Sequence, residues 1–157
     1  MAEETKFDQT AAHKYFSVNC FNHAWDLIDK SERTPEEDEE MIRLSLTSHY
    51  HWTQRDDYST TSASIALWQI SRIYAILGQA DNARRYGQLC LEASQGEGVT
   101  PFFLGYAFEA LARAEAAGGN EEEMQSFLNE ARTAAEKIRE ADEKKMLLDD
   151  LKTIQIK

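Results

Sequence analysis

The chain has 157 residues, a formal net charge of -11 and 42% hydrophobic residues. That length allows about one domain with a real core. The acidity excludes a binder of nucleic-acid phosphates, which needs clustered Lys and Arg, and it disfavours an anionic membrane surface.

Two prolines and seven glycines argue further against a loop-rich β fold and long linkers. The opening MAEETKFDQT has no basic flank and no apolar stretch, so it does not read as a secretory signal. No run approaches the roughly 20 apolar residues of a membrane span, so a cytoplasmic setting is expected. Residues 1–6 are expected to be disordered.

A first helix is predicted from about Phe7 to Asp29. Phe16, Cys20, Ala24, Leu27 and Ile28 form an apolar stripe, which Val18, Phe21 and Trp25 widen. A stripe that wide predicts neighbours on two sides. Thr34, Pro35 and Glu37 then spell a capping box with proline at the first helical position. Glu36, Glu37, Asp38, Glu39 and Glu40 sit where the helix dipole favours negative charge. The second helix runs to about Gln54, with Met41, Leu44, Ser45, Ser48 and Trp52 on one face.

The polar stretch from Asp56 to Thr61 reads as a loop that caps a third helix. Leu67, Ile70, Ser71 and Tyr74 follow helical spacing, and Gly78 breaks the run. A fourth helix continues through Ala83, Gly87, Cys90 and Leu91 to about Ala93. The small residues Ser71, Ala83, Gly87 and Cys90 predict close approach of these two helices. Thr100 and Pro101 start a fifth helix, which Gly118 and Gly119 end near Ala117. Asn120 is read as the cap of a sixth helix that reaches about Arg139. A seventh runs from Glu143 to Ile154 with Met146, Leu147, Leu151 and Ile154 on one face. No segment alternates with period two, so the chain is expected to be one all-α domain of about seven helices. Cys20 and Cys90 lie far apart at core-facing positions and read as two buried thiols.

A shift of 41 residues maps the central hairpin onto the next. Leu67, Ile70, Ser71 and Gly78 meet Phe108, Leu111, Ala112 and Gly119, while Ala83, Gly87 and Cys90 meet Met124, Leu128 and Ala131. Such self-similarity reads as a helical solenoid. The pattern resembles the tetratricopeptide repeat. Leu67, Ile70, Ser71, Tyr74, Gly78, Ala83 and Cys90 fit it, whereas the second copy has Glu115 for Tyr74 and Met124 for Ala83. The resemblance implies a short right-handed solenoid of antiparallel hairpins. Residues 7–55 would form a degenerate first hairpin, 62–95 and 101–139 the repeat hairpins, and 141–154 a capping helix. The stretches FNHAW, RTPEEDEEM, HYHW, WQISRIYAILGQA and AFEALARA also resemble a family of small bacterial proteins that has no assigned activity.

In tetratricopeptide solenoids the first helix of each hairpin lines a concave, partner-binding face. The resemblance therefore implies a groove at Ile65, Trp68, Arg72 and Ala75 and at their equivalents Tyr106, Glu109, Arg113 and Ala116. Arg suits bidentate carboxylate recognition, and aromatics with Arg are common binding hot spots. Trp68, Arg72, Tyr106, Glu109 and Arg113 are thus the candidate site for a protein or peptide partner. In the competing reading, Arg113 pairs with Glu109 at i, i+4 and Trp68 packs on the first helix.

His49 and His51 point about 200° apart on a helix, so they do not readily share one metal. Antiparallel packing could bring His13, Cys20 or His23 near them, which makes a zinc-type or small-molecule site the alternative. Histidines packed among aromatics are the simpler outcome. Ser17 and Cys20 near His13 lack a third positioning group, and no HExxH, phosphate loop or GxSxG is present. A non-enzymatic protein without a cofactor is expected. Self-association through apolar faces of the first or last helix is a further possibility.

Overall fold

The computed structural model describes residues 6–156, so the disorder expected over 1–6 lies, Lys6 apart, outside the described residues. Among these the chain is all-helical, with α1 (Gln9–Ile28), α2 (Pro35–Thr53), α3 (Thr60–Ile76), α4 (Ala80–Ser94), α5 (Pro101–Ala117), α6 (Glu121–Glu136) and α7 (Ala141–Leu151). None of these helices is long and apolar enough to cross a membrane. Successive helices pack on one another from α1 to α7, and α5 also packs on α3 and on α7.

Local chemistry explains most of the boundaries. Thr34 Oγ1 accepts from the Glu37 N–H at 3.2 Å, and a Glu37 carboxylate oxygen accepts from the Thr34 N–H at 3.0 Å, closing the capping box of α2. The α3 cap is Ser59, whose hydroxyl accepts from the Ser62 N–H at 3.1 Å. Asn120 stands at the N-cap of α6 as expected, but its side chain makes no capping hydrogen bond; its amide donates to Glu115 at 2.7 Å instead. The last turn of α6 tightens through the Lys137 and Ile138 N–H groups, which donate to Ala134 and Ala135. This i to i-3 bonding ends the helix before Arg139 and folds Ile138 into the core. Likewise α7 stops at Leu151, yet Ile154 beyond it stays buried.

The 41-residue shift recurs in the turns. Gly78 and Gly119 both have φ of +74°. The N–H groups of Gln79 and Asn120 donate to Tyr74 and Glu115, each at 2.9 Å. The N–H groups of Gly78 and Gly119 donate to Ala75 and Ala116 at 3.1 and 3.2 Å. The two helix ends therefore use the same bonds, and the left-handed φ explains glycine at both.

Small residues set the packing of the central hairpin. The Ser71 hydroxyl donates to the Ala83 carbonyl at 2.8 Å across α3 and α4. A Cβ on Gly87 would lie 2.9 Å from a Leu111 methyl carbon of α5, so this position ties α4 to the following hairpin. Arg84 of α4 adds a forked ion pair to the buried Glu115 of α5 at 2.6 and 3.1 Å.

Some side chains stand differently from expectation. Cys90 is fully buried, and burial pushes its thiol up to about 12, whereas Cys20 is only half-buried. Met146 is exposed, while Leu147, Leu151 and Ile154 cover α5 and α6. The wide stripe of α1 finds its second neighbour only in its later half. There Phe21 accepts a hydrogen bond from Gln69 through its carbonyl and Trp25 stacks on Trp68. Phe16 and Val18 remain 43% and 40% exposed.

Candidate functional site

Ile65, Trp68, Arg72 and Ile76 recur on one face of α3 at a helical repeat, and Phe102, Tyr106, Glu109 and Arg113 do the same on α5. Phe21 and Trp25 of α1 flank this surface on one side, and Met146 and Asp150 of α7 on the other. Two concavities result. The first is an apolar groove of about 310 Å³ among Phe21, Trp25, Ile65, Trp68, Phe102 and Tyr106. The second, about 400 Å³, lies further along α3 and α5 and is walled by Arg72, Ile76, Arg113, Ala116, Ile154 and Ile156.

An aromatic floor shapes the groove. Trp25 stacks on Trp68 with centroids 5.5 Å apart and planes at 27°. Tyr106 meets Trp68 edge to face at 5.8 Å, and Phe102 meets Tyr106 at 5.0 Å. Such offset and edge contacts suit the ring quadrupoles and hold the rings rigid. At the rim, Ile65 is 36% and Met146 55% exposed. Trp25 therefore forms a wall of the groove and leaves it open.

Between the two concavities runs a polar network. Glu109 is 1% exposed. One of its oxygens accepts from the Trp68 indole at 2.8 Å, and the other pairs with Arg113. Arg113 reaches on to the Asp150 carbonyl at 3.2 Å and the Thr153 hydroxyl at 2.9 Å. The Tyr106 hydroxyl donates to Asp150 at 2.5 Å. Burial, followed by that carboxylate, drives the Tyr106 phenol far up, so it stays a neutral donor.

Arg72 stands apart from this network. Among the described residues its guanidinium makes no hydrogen bond and no ion pair at contact distance. Burial and the Arg113 charge lower its pKa, while Glu109 and Asp150 act on it only through space.

Of the five residues read from the repeat, Trp68, Tyr106, Glu109, Arg72 and Arg113 thus share one face. The Arg113–Glu109 pair and the stacking of Trp68 on the first helix occur on that same face. Phe102 was within reach of sequence reasoning, one turn before Tyr106. Asp150 was not, because α7 lies outside the repeat. Glu109 and Glu115 are both buried and ion-paired.

The histidines do not gather at one centre. His13 and His51 meet through their Nδ1 atoms at 2.8 Å, beside Phe16 and Tyr50. His49 turns instead to the Tyr58 hydroxyl at 3.1 Å. His23 is exposed beside Glu36, Glu37 and Glu40, and Cys20 is half-buried. Among the described residues, no group of three or more His, Cys, Asp or Glu could hold a metal ion. Ser17, fully buried, accepts from Arg55 at 3.0 Å and serves as a tie between α1 and the end of α2.

The imidazoles predict a pH dependence. Burial holds His49 below the ordinary histidine range; burial and then His13 do the same for His51. The unfolded chain therefore binds protons first as pH falls, so folded stability decreases on acidification. This contribution is complete above the unfolded value of about 6.5 and is lost below it. Melting temperature should hold steady between pH 8 and 7 and fall between pH 6.5 and 5, less so in His51→Gln. A flat profile down to pH 5 would contradict this assignment.

The chain matches no protein-family model, no curated protein and no solved structure.

Proposed function

We propose that the chain is a short tetratricopeptide-like right-handed solenoid that holds a peptide segment of a protein partner on the face of α3 and α5, without bond chemistry. The two helix ends 41 residues apart, with the same glycine φ and the same hydrogen bonds, support the repeat reading. The observation that carries the binding reading is the open apolar groove with an aromatic floor and exposed rim residues Ile65 and Met146. A preformed apolar cleft with few polar groups is the usual form of a binding site. Rigid aromatics supply contact area at small entropy cost. Anchoring falls to Trp25, Trp68, Phe102 and Tyr106. Charge pairing falls to Arg72, because Arg113 is already committed to Glu109.

The test is peptide selection on the intact protein from a displayed library, followed by affinity measurement on variants. Ile65→Asp places a charge at the groove rim and should weaken a selected peptide at least tenfold. Leu89→Asp, on the exposed side of α4, should leave affinity unchanged. Equal affinities for wild type and Ile65→Asp would remove the groove as the binding surface.

A further inference from the structure

The repeat symmetry breaks at one charge. Arg113 has its counter-ion one turn earlier, at Glu109. Arg72 is its equivalent 41 residues before, and the position one turn earlier there is Trp68. That indole cannot neutralise a cation as a carboxylate does, and its N–H instead takes up the second oxygen of Glu109. Both Glu109 oxygens are therefore engaged, and Arg72 is left half-buried without an ion partner among the described residues. Asp150 does not reach it, since its carboxylate accepts from Tyr106 and its carbonyl from Arg113.

This guanidinium borders the cavity of about 400 Å³, where Ile76, Ala116, Ile154 and Ile156 form the apolar part of the wall and Arg113, Thr153 and Gln155 the polar part. A half-buried charge is costly unless it is paired, and a guanidinium fork matches a carboxylate bidentately. A dianion such as phosphate fits less well. Among the described residues one cation at this cavity is uncommitted, and the carboxyl ends of α3 and α5 carry negative dipole ends that penalise a second negative charge more than a single one. A neutral or cationic ligand would leave Arg72 unpaired.

We infer that this cavity binds a small aliphatic monocarboxylate, whose carboxylate pairs with Arg72 and whose hydrocarbon body lies against Ile76, Ile154 and Ile156. The inference rests on the reading of this face as a binding face, but it uses the cavity beyond Trp68 and needs no peptide in the groove.

The probe is sodium pentanoate, titrated into the full chain and followed by melting temperature and calorimetry at constant ionic strength. Pentylammonium, pentanol and inorganic phosphate serve as controls. Pentanoate should raise the melting temperature saturably, and the three controls should not. Arg72→Met, with its fold verified by circular dichroism, should bind pentanoate at least tenfold more weakly. Ile65→Asp should bind it as wild type does, which separates failure of the groove from failure of the cavity. A missing response to pentanoate, an equal response in Arg72→Met, or an equal response to phosphate would each overturn the assignment.

Discussion

Glu109→Ala should lower the unfolding free energy by about 3–5 kcal/mol, the loss expected when one partner of a buried ion pair is removed. The carboxylate is 1% exposed and the Arg113 side chain 11% exposed, so neither charge is screened by bulk water. Truncation would leave Arg113 without its carboxylate and the Trp68 indole N–H without its acceptor. An unsatisfied buried donor and an unpaired charge each add to the loss. A domain of this size shifts roughly 2–4 °C per kcal/mol, so the melting temperature should fall by about 10 °C. The double variant Glu109→Ala/Arg113→Met removes both charges and should recover much of the loss. Urea unfolding of the single and double variants measures both numbers. A loss below about 1 kcal/mol for the single variant would match a solvated pair and contradict the burial described here.

Gly87→Val should cost roughly 3 kcal/mol through overpacking. A Cβ alone at this position would meet Leu111 at 2.9 and 3.2 Å and the Ser71 hydroxyl at 3.2 Å. Leu111 is 1% exposed and packs in the buried cluster of Leu67, Cys90, Leu91 and Ala107. Ser71 is held by its bond to the Ala83 carbonyl. The two branches of valine would push α4 away from α3 and α5 together. At the equivalent position after α5 the chain carries Leu128, which packs with Leu147, Leu151 and Ile138 in the terminal core. Glycine is thus needed where another hairpin follows, and leucine fits where only α7 covers the end. Leu128→Gly should accordingly destabilise by opening a cavity, whereas Gly87→Leu cannot be accommodated. Thermal unfolding of Gly87→Val within 1 °C of wild type would show that α4 does not approach α5 this closely.

The all-helical architecture was legible because its signals are local. Thr34, Pro35 and Glu37 announce a helix start, Gly78 and Gly119 announce two ends, and the apolar spacing between them has one reading. The shared face of Trp68, Arg72, Tyr106, Glu109 and Arg113 followed from the 41-residue shift, because residues at equal repeat positions point the same way. The partnerships on that face depend on depth, which spacing does not encode. Glu109 looks like any helical acid until α3 and α5 close around it. Asp150 enters only because α7 folds back on α5, a long-range contact outside the repeat. Met146 and Leu147 are both apolar neighbours, and only the angle at which α7 lands decides that the second is buried and the first lines the groove. His13 and His51 meet because α1 and α2 run antiparallel. Antiparallel packing was expected to allow that approach, but spacing did not show that His49 turns away to Tyr58.

If the face of α3 and α5 is the binding surface, the three tryptophans of the chain report it. Trp25 and Trp68 stack at the groove, whereas Trp52 lies under the Arg55 guanidinium at 3.8 Å. Each indole N–H gives its own nuclear magnetic resonance signal, so titration of a library-selected peptide reports on all three at once. The Trp25 and Trp68 signals should then move together to saturation while Trp52 stays fixed. Movement of Trp52 alone, or binding that leaves Trp25 and Trp68 unmoved, would contradict it.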